Sequence, residues 1–338
     1  GVFEKCGHLP TNEKVALDEM FHLLKWGDKN LKNFTTIEIL ASNYRDAGSS
    51  AVEELGFAFA RAVFYIKEMV QRGAEIDEVA QKIRFSLGIG QTFFMEIAKF
   101  RAARMVWAKI IKEFGGNTES QKLKINAVTE MSNITRLDAQ VNFLRTSSES
   151  ISAIMGGTDS LRVAHYTDGF GLPDDFARRI AKNTQIVLRD ECNLTDVIDP
   201  AAGSYFVEAL TAEIAQKAWA LFTDVESRGG YLAAIKEGFI QSAVKATAAA
   251  KVKALASRKD VMVGSNKYSN LTEKAPNFVA FCTKDVAEKR RKAIKDFVGK
   301  RDEAKAQSAL GELAKSAKAD TRDVFERATV AYLAGATI

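Results

Sequence analysis

The chain has 338 residues, of which 46% are hydrophobic and 27% charged, and its formal net charge is +5. These values are typical of a globular protein with a sizeable core in one or two domains, and they exclude a disordered or fibrous chain. Acidic residues interrupt the basic ones along predicted helices such as 284–305, which favours a solvated surface over a nucleic-acid interface.

The three cysteines, Cys6, Cys192 and Cys282, form no C-x-x-C pair, and the three histidines are not spaced like metal ligands. This pattern predicts a reducing cytosol and no structural zinc site. The sequence has no apolar run of 18 residues and no signal peptide, so we predict a cytoplasmic protein without a membrane partner. Because Gly1 stands in place of a start methionine, we expect a piece of a longer product.

Short apolar runs recur along the first half of the chain, with helical patterns between them. The predicted strands are FTTIEILA (34–41), IRFSLGIG (83–90), LKINAV (123–128) and SLRVA (160–164). The helices predicted after them run from Val52 to Gly73, from Phe93 to the glycines at 115–116, over 139–155 and over 174–191. Strands that alternate with helices of this length predict parallel β-α units.

After four such units the chain becomes helical, over 205–230, around 240–258 and through almost all of 278–335. Four parallel strands make either a small open sheet or half of an eight-stranded (β/α)8 TIM barrel. Helices on one side of the sheet would favour the half barrel, which the sequence alone does not decide. A half barrel has two unpaired edges and an open interior, so it needs its other half from elsewhere.

In a parallel barrel, functional residues lie at the carboxyl ends of the strands and in the loops that follow. Here those positions are polar but hold few strong acids or bases; they are 42–44, 88–92, 126–130 and 165–168. Asn43 and Asn126 cannot take up a proton near neutral pH, and no His–carboxylate or Cys–His pair is indicated. The predicted active face is therefore chemically quiet.

Several features have both a structural and a functional interpretation. His165 is either a hydrogen-bonded structural histidine or a functional one. GIGQTFF (88–94) is either a close-packed turn or a phosphate cradle at a helix N-terminus. Ser204 is either the N-cap of the long helix or a catalytic serine, for which the sequence indicates no general base. Lys82 and Arg84 belong to a solvated surface or contact an anionic nucleotide tail.

Several ordered blocks together resemble the methylmalonyl-CoA mutase family of adenosylcobalamin-dependent acyl-CoA mutases. The resemblance runs from about 34 to 268, and the tail to 338 resembles the family's segment before its cobalamin domain. The blocks are AGSSAVEELGFAFARAVFYI (47–66), GIGQTFFMEIAKFRAARMVWA (88–108), VNFLRT (141–146), IAKNTQIVLRDE (180–191), VIDPAAGSYFVEALT (197–211) and VGSNKY (263–268).

The resemblance implies the C-terminal half of a TIM barrel (34–268), an insertion segment before it (1–33) and a helical extension after it (269–338). In this family, acyl-CoA threads through the barrel and a separate domain presents the corrin at its mouth. The resemblance implies that strands one to four lie upstream in a longer chain or on another polypeptide.

Two motifs of the family's catalytic chains are degenerate in this sequence. Gly-Tyr-His falls on Ala41, Ser42 and Asn43. Thr-His-x-Gln-Thr-Ser-Gly falls on Ile125, Asn126, Ala127, Val128, Thr129, Glu130 and Met131. Serine cannot replace the bulk of the tyrosine that helps to displace the adenosyl group. Asparagine is shorter than the histidine that hydrogen-bonds the thioester, and it cannot become cationic.

These losses resemble those of the family's non-catalytic small subunit, as do VNFLRT and the stretch before residue 34. The resemblance implies no catalytic and no cofactor-binding residues on this chain, since Ser42, Asn43, Asn126 and Val128 fill the lost positions. It implies adenosylcobalamin on a catalytic large subunit, because the cobalamin-binding Asp-x-His-x-x-Gly motif is missing from the sequence. Lys82, Arg84 and Thr129 are the candidate substrate-binding residues.

Three hypotheses for the function follow. The first is a small subunit that pairs with a catalytic large subunit in a heterodimer of propionate metabolism. The second is an active mutase chain with an altered substrate, whose asparagines supply the hydrogen bonds. The third is a scaffold or binding module for another partner. The sequence does not decide which acyl-CoA the complex uses.

Overall fold

The computed structural model describes residues 11–273, 284–319 and 323–337. The chain divides into two compact units. The sheet unit contains the described residues 11–12 and 35–273, and the helical unit contains Glu13–Phe34 with the described residues from 284 onward. The domain boundaries expected from the sequence, at 33/34 and 268/269, stay a prediction.

The helical unit begins with α1 (Glu13–Asn30). The sheet unit follows with its strands and helices in chain order: β1 (Ile37–Leu40), α2 (Ser42–Asp46), α3 (Ala51–Gln71), α4 (Ile76–Gln81), β2 (Ile83–Ile89), α5 (Phe93–Glu113), β3 (Ile125–Thr129), α6 (Asn142–Met155), β4 (Ser160–Arg162), α7 (Asp175–Ile186), α8 (Tyr205–Ser227), α9 (Tyr231–Lys236) and α10 (Phe239–Ala256). The helical unit continues with α11 (Lys284–Lys300), α12 (Glu303–Lys318) and α13 (Val324–Leu333).

The four strands form one parallel sheet in the order β1-β2-β3-β4. The predicted parallel β-α units are thus confirmed, with strand ends that differ from the prediction by a few residues. A sheet of four parallel strands in sequential order fits half of a TIM barrel. Closure into a barrel stays a prediction.

The two faces of the sheet differ in chemistry. Side chains alternate along β2, and Phe85 packs on Phe59 of α3 and Trp107 of α5 with ring centroids 5.9 and 5.1 Å away. All three aromatic residues are buried. On the other face, residues such as Glu38 and Arg84 retain about two-fifths of their side-chain exposure. The apolar face therefore holds the core, and the polar face is the one a barrel would turn inward.

The limits of α3 follow from local signals in the sequence. Ser50 and Glu53 form a capping box, in which the Ser50 hydroxyl accepts from the Glu53 amide and the Glu53 carboxylate accepts from the Ser50 amide. The helix ends before Gly73, whose φ of 91° favours glycine, as the sequence predicted. Local signals thus define both ends of α3.

The helical unit is held by apolar contacts between its helices. Trp26 of α1 packs on Phe325 of α13 with ring centroids 4.3 Å apart. The sequence patterns did not predict α1, because its apolar residues were assigned to an insertion segment. No helix in the described part of the chain is long and apolar enough to cross a membrane.

Candidate functional site at the carboxyl edge of the sheet

The residues at the first degenerate motif lie at the carboxyl end of β1. Ser42 begins α2 and is buried. Asn43 follows, and its Nδ2 atom is buried without a hydrogen-bond partner in the described chain. Asp46 at the end of α2 accepts a hydrogen bond from the Met131 amide at 2.9 Å. This bond joins the loop after β1 to the loop after β3, so the two degenerate motifs meet at one edge of the sheet.

Asn126, from the second motif, lies within a hydrogen-bonded row on the open face of the sheet. Its Nδ2 donates to Ser86 Oγ at 3.0 Å, and its Oδ1 accepts from Ser160 Oγ at 2.7 Å. Ser86 Oγ donates in turn to Glu38 Oε1 at 2.6 Å, and Arg84 donates to the same oxygen at 3.0 Å. We call these five residues the polar ladder. It crosses all four strands.

The three candidate substrate-binding residues do not come together. Lys82 is buried just before β2, at the amino edge of the sheet, whereas Thr129 ends β3 at the carboxyl edge. The Thr129 hydroxyl is fully buried and accepts from the Ala164 amide at 2.7 Å. Arg84 forms an ion pair with Glu38. Substrate contact by these three residues stays a prediction.

A cluster of buried charges lies at the carboxyl edge of the sheet, which would be the mouth of a closed barrel. We call it the mouth ion cluster; its members are Arg45 of α2, Glu54 of α3, Glu96 and Lys99 of α5, and Glu130 after β3. Arg45 pairs with Glu96 at 2.8 Å and with Glu130, and Lys99 pairs with Glu54 at 2.8 Å and Glu96 at 2.5 Å. The cluster joins three helices to the loop after β3.

Glycines at the end of β2 make room for this cluster. A Cβ on Gly88 would lie 2.8 Å from the Cβ of Arg45. A Cβ on Gly90 would lie 2.7 Å from the Arg45 guanidinium and 3.0 Å from the Glu130 carboxylate. The G-I-G sequence therefore packs closely around an arginine. This packing favours the close-packed turn over the phosphate cradle, because side-chain atoms of the chain fill the space.

The charges of the cluster shift one another's proton affinities. Burial opposes the charge of Arg45, but Glu96, Glu130 and Glu54 outweigh it and raise the arginine's pKa above its ordinary value. Burial raises the pKa of Glu54 to about 7, although Lys99 and Arg45 pull it down. Burial also favours neutral Glu96, but Lys99 and Arg45 prevail and lower its pKa. The cluster thus contains both ionised and readily protonated carboxyls.

A second buried carboxylate pair extends the cluster toward α6. The Asn133 amide donates to Glu130 Oε2 at 3.1 Å and to Glu149 Oε1 at 3.0 Å, and it therefore bridges the two. Glu149 Oε2 is buried without a hydrogen-bond partner in the described chain. Burial raises the pKa of Glu149 well above its ordinary value, and negative Glu130 and Glu96 add to the effect. Glu149 is therefore the clearest candidate for a protonated acid.

The remaining polar candidates, His165 and Ser204, make none of the side-chain hydrogen bonds that their structural interpretations predict within the described chain. His165 Nδ1 lies 3.8 Å from Asp168 Oδ2 and makes no hydrogen bond within the described chain, while Arg162 holds Asp168 at 2.9 Å. Ser204 occupies the N-cap position of α8, as one interpretation predicted, but its side chain makes no capping bond. Glu208 instead accepts from the Gly203 amide at 3.1 Å.

Sequence reasoning missed most of the mouth ion cluster. Glu54, Glu96 and Lys99 lie on helices rather than at the strand ends, where a parallel barrel carries its functional residues. One signal was available: Glu96 and Lys99 stand three residues apart within FFMEIAKF, a stretch otherwise apolar. Charges in such a setting are buried only when paired.

The chain matches a known protein family along almost its whole length. A model of the family "Methylmalonyl-CoA mutase" matches residues 3–338. The chain belongs to the methylmalonyl-CoA mutase family. Over 249 residues it is 41% identical to the methylmalonyl-CoA mutase small subunit of Porphyromonas gingivalis, which covers 73% of this chain and 40% of that protein. The resemblance stated from the sequence is thereby confirmed.

Two further relatives match a larger share of the chain. The methylmalonyl-CoA mutase of Cereibacter sphaeroides is 36% identical over 317 residues, 94% of this chain and 45% of that protein. The methylmalonyl-CoA mutase large subunit of P. gingivalis is 33% identical over 310 residues, 91% of this chain and 43% of that protein. This chain therefore spans less than half the length of these relatives.

Proposed function

We propose that the protein acts as the non-catalytic small (beta) subunit of a methylmalonyl-CoA mutase. It supports a catalytic large subunit that interconverts methylmalonyl-CoA and succinyl-CoA by adenosylcobalamin radical chemistry. One observation carries the proposal: at the second catalytic motif, replaced positions are occupied by side chains that bond to their own chain. Asn126 is held between Ser86 and Ser160, and Glu130 is paired with Arg45.

The chemistry of the replacements supports the same conclusion. Ser42 and Asn43 stand where the family's catalytic chains carry tyrosine and histidine. Neither residue can act as a cationic donor, and Ser42 lacks the bulk to press on an adenosyl group. Glu130 stands where those chains carry serine, so the mouth holds a buried ion pair in place of a small polar side chain.

The residues present do not fit adenosylcobalamin. When bound, this cofactor supplies a radical by homolysis of its cobalt–carbon bond. His165 is the one histidine among the described residues of the sheet unit, and its Nδ1 atom faces Asp168 at 3.8 Å. In our proposal the partner subunit carries the cofactor.

The subunit names of two relatives support the choice of partner. Both the small and the large subunit of P. gingivalis resemble this chain, at 41% and 33% identity. Two chains of one family in one organism are what a heterodimer with a divided role requires. In our proposal the partner binds the acyl-CoA and carries the catalytic histidines.

One observation favours a second candidate, an active mutase chain with an altered substrate. The Asn43 amide nitrogen is buried without a partner within the described chain. A buried donor without an acceptor carries a free-energy cost of about 1–3 kcal/mol, which a ligand carbonyl would relieve. A thioester carbonyl of an acyl-CoA is an acceptor of this kind.

The test uses the full-length native protein, purified with and without its large subunit. We expect no adenosylcobalamin binding by absorbance titration and no turnover of methylmalonyl-CoA by the protein alone, and turnover once the large subunit is added. Turnover by the protein alone would refute the proposal. Calorimetric titration with CoA thioesters separates the second candidate, which is excluded if no heat is measured at millimolar ligand.

A further inference from the structure

Six large apolar side chains of the sheet unit are more than half exposed and lie close together. Two of them, Ile198 and Tyr205, are 95% and 94% exposed, and the other four are between 52% and 62% exposed. Single exposed apolar residues are ordinary on a protein surface, but a contiguous group marks an interaction site. We call these six residues the apolar patch; they are Phe94 and Met105 of α5, Val197 and Ile198 of the loop before α8, and Tyr205 and Phe206 at the start of α8.

Contacts between the two helices and the loop make the apolar patch continuous. The rings of Phe94 and Phe206 meet edge to face with centroids 5.8 Å apart. Met105 follows Phe94 by about three helical turns and therefore lies on the same side of α5. Met105 and Ile198 both line a cleft of about 440 Å³. The patch thus extends from the start of α8 along α5 to the loop before α8.

An ion-pair network holds the elements of the patch together. Arg101 of α5 pairs with Asp199 of the loop at 3.0 Å and with Glu208 of α8 at 2.7 Å. Asp199 has a φ of 49°, a left-handed conformation that few residues other than glycine adopt. The pair with Arg101 helps to fix this turn and the neighbouring Ile198. A surface that is fixed before binding loses less conformational freedom when a partner binds.

The size of the apolar patch fits a permanent protein partner. At about 200 Å² per aromatic side chain, the three aromatic members together expose about 400 Å². The three aliphatic members, all more than half exposed, add to this area. The largest apolar patch of a typical monomer is about 300–600 Å², and each partner in a stable complex contributes about 800 Å² of surface. The patch is therefore large enough to form the apolar centre of a standard interface.

The composition of the patch favours a protein over a lipid surface as its occupant. The centres of protein interfaces are enriched in Tyr, Phe, Met and Arg and carry little net charge. Peripheral membrane surfaces instead carry an excess of lysine and arginine beside their apolar residues. Here the charges of the cleft balance one another; its basic residues are Arg101 and Arg104, and its acidic residues are Asp159 and Asp199.

We propose that the apolar patch is the surface through which this chain binds the catalytic large subunit. The inference rests on the proposed function, which requires a permanent partner, and it adds the site of contact. Ile198 and Tyr205 carry most of the binding energy, because they offer the largest exposed fractions to a partner and because tyrosine is enriched among the residues that dominate interfaces. A second copy of this chain on the patch would compete with the large subunit.

The test measures the binding of the full-length native protein to the large subunit by biolayer interferometry. The double variant Ile198→Asp and Tyr205→Asp places two carboxylates on the patch, and we expect its dissociation constant to rise at least 100-fold. The matched control, Leu271→Asp with Tyr268→Asp, makes the same change at exposed apolar residues outside the patch and should bind like the parent. Equal binding by the parent and the patch variant would overturn the inference and leave the proposed function standing. Absence of binding by the parent would refute both.

A second measurement does not depend on charged variants. Maleimide labelling of Ile198→Cys, located by peptide mass spectrometry, should slow at least tenfold when the large subunit binds. Leu271→Cys is the control and should label at the same rate with and without the large subunit. Equal labelling rates of Ile198→Cys in the two states would overturn the inference, because the patch would then be free in the complex or covered by another part of the full-length chain.

Sedimentation velocity of the parent without the large subunit tests the remaining occupant. We expect no self-association through the patch. A dimer of the parent that the Ile198→Asp and Tyr205→Asp changes dissociate would assign the patch to a second copy and overturn the inference. Circular dichroism checks that each variant keeps its helix content, so that a loss of binding reports on the patch.

Discussion

The mouth ion cluster and the polar ladder are two polar assemblies on one sheet, and they differ in their access to water. Lys99, Glu54 and Glu96 of the cluster have no side-chain exposure at all, whereas Glu38 and Arg84 of the ladder keep 43% and 39%. Removing one partner from a buried cluster leaves a charge that nothing solvates, whereas water replaces a lost partner in the ladder. We therefore expect ion pairs and hydrogen bonds of similar length to contribute very differently to the free energy of unfolding.

The largest expected effect comes from removing the central cation of the cluster. Lys99→Met leaves Glu54 and Glu96 buried with only Arg45 as counter-charge, and we expect the free energy of unfolding to fall by about 3–5 kcal/mol. Denaturant unfolding at pH 7 measures this loss. The control is Lys109→Met on the same helix, an exposed lysine whose contact with the Trp219 ring is worth about 0.5–1 kcal/mol. Equal losses of unfolding free energy for the two variants would contradict this difference between a buried and an exposed lysine.

The next effect is a dependence of stability on pH. Burial raises the pKa of Glu149 well above its ordinary value, so the folded state binds more protons than the unfolded state. Such a carboxyl favours folding at low pH, and its contribution is lost as the pH rises from about 4.5 through the folded pKa. Glu54, with a pKa of about 7, loses its contribution between about 4.5 and 7.

Glu149→Gln should therefore flatten the stability profile between pH 5 and 8. At pH 8 we expect the variant to exceed the parent by about 1–3 kcal/mol, because a neutral amide replaces a buried charge. Unfolding curves recorded at several pH values measure this difference. Glu119→Gln, at an exposed carboxylate beside Lys122, is the control and should leave the profile unchanged. A parent profile that rises steadily across this range would contradict the assignment of Glu149.

A smaller effect is expected within the ladder. Asn126→Ala removes the hydrogen bonds to Ser86 and Ser160, and we expect a loss of about 0.5–1.5 kcal/mol in unfolding free energy. Asn126→His tests the motif position directly: a histidine there should add no mutase turnover to the full-length protein on its own. Turnover by this variant would show that the ladder is the main difference from a catalytic chain.

The smallest effect is expected for the exposed ion pair. Glu38→Gln should change the unfolding free energy by about 1 kcal/mol or less at low salt, and by less still in 0.5 M NaCl. The paired measurement at two salt concentrations checks this. A loss comparable to that of Lys99→Met would mean that the ladder is as dry as the cluster.

Most of the fold could be predicted from the sequence, because its signals are local. Apolar runs marked the strands, and the glycine at 73 marked the end of α3. The mouth ion cluster could not be predicted in the same way. Arg45 and Glu96 are 51 residues apart, and Glu54 and Lys99 are 45 apart, so only the fold brings them together. The motif positions were found by resemblance, but their hydrogen-bond partners depend on the register between β2, β3 and β4.

The pair of Arg45 and Glu130 has a consequence for any stepwise route between this chain and a catalytic one. Replacing Arg45 alone leaves Glu130 without its ion-pair partner in a dry interior, at a penalty of about 3–5 kcal/mol, whereas replacing Glu130 alone leaves Arg45 paired with Glu96. A whole domain is stable by only about 5–15 kcal/mol, so a chain that lacks Arg45 alone would lose a large part of its stability. An attempt to restore catalytic side chains at this edge of the sheet should therefore exchange Glu130 before Arg45, or both together.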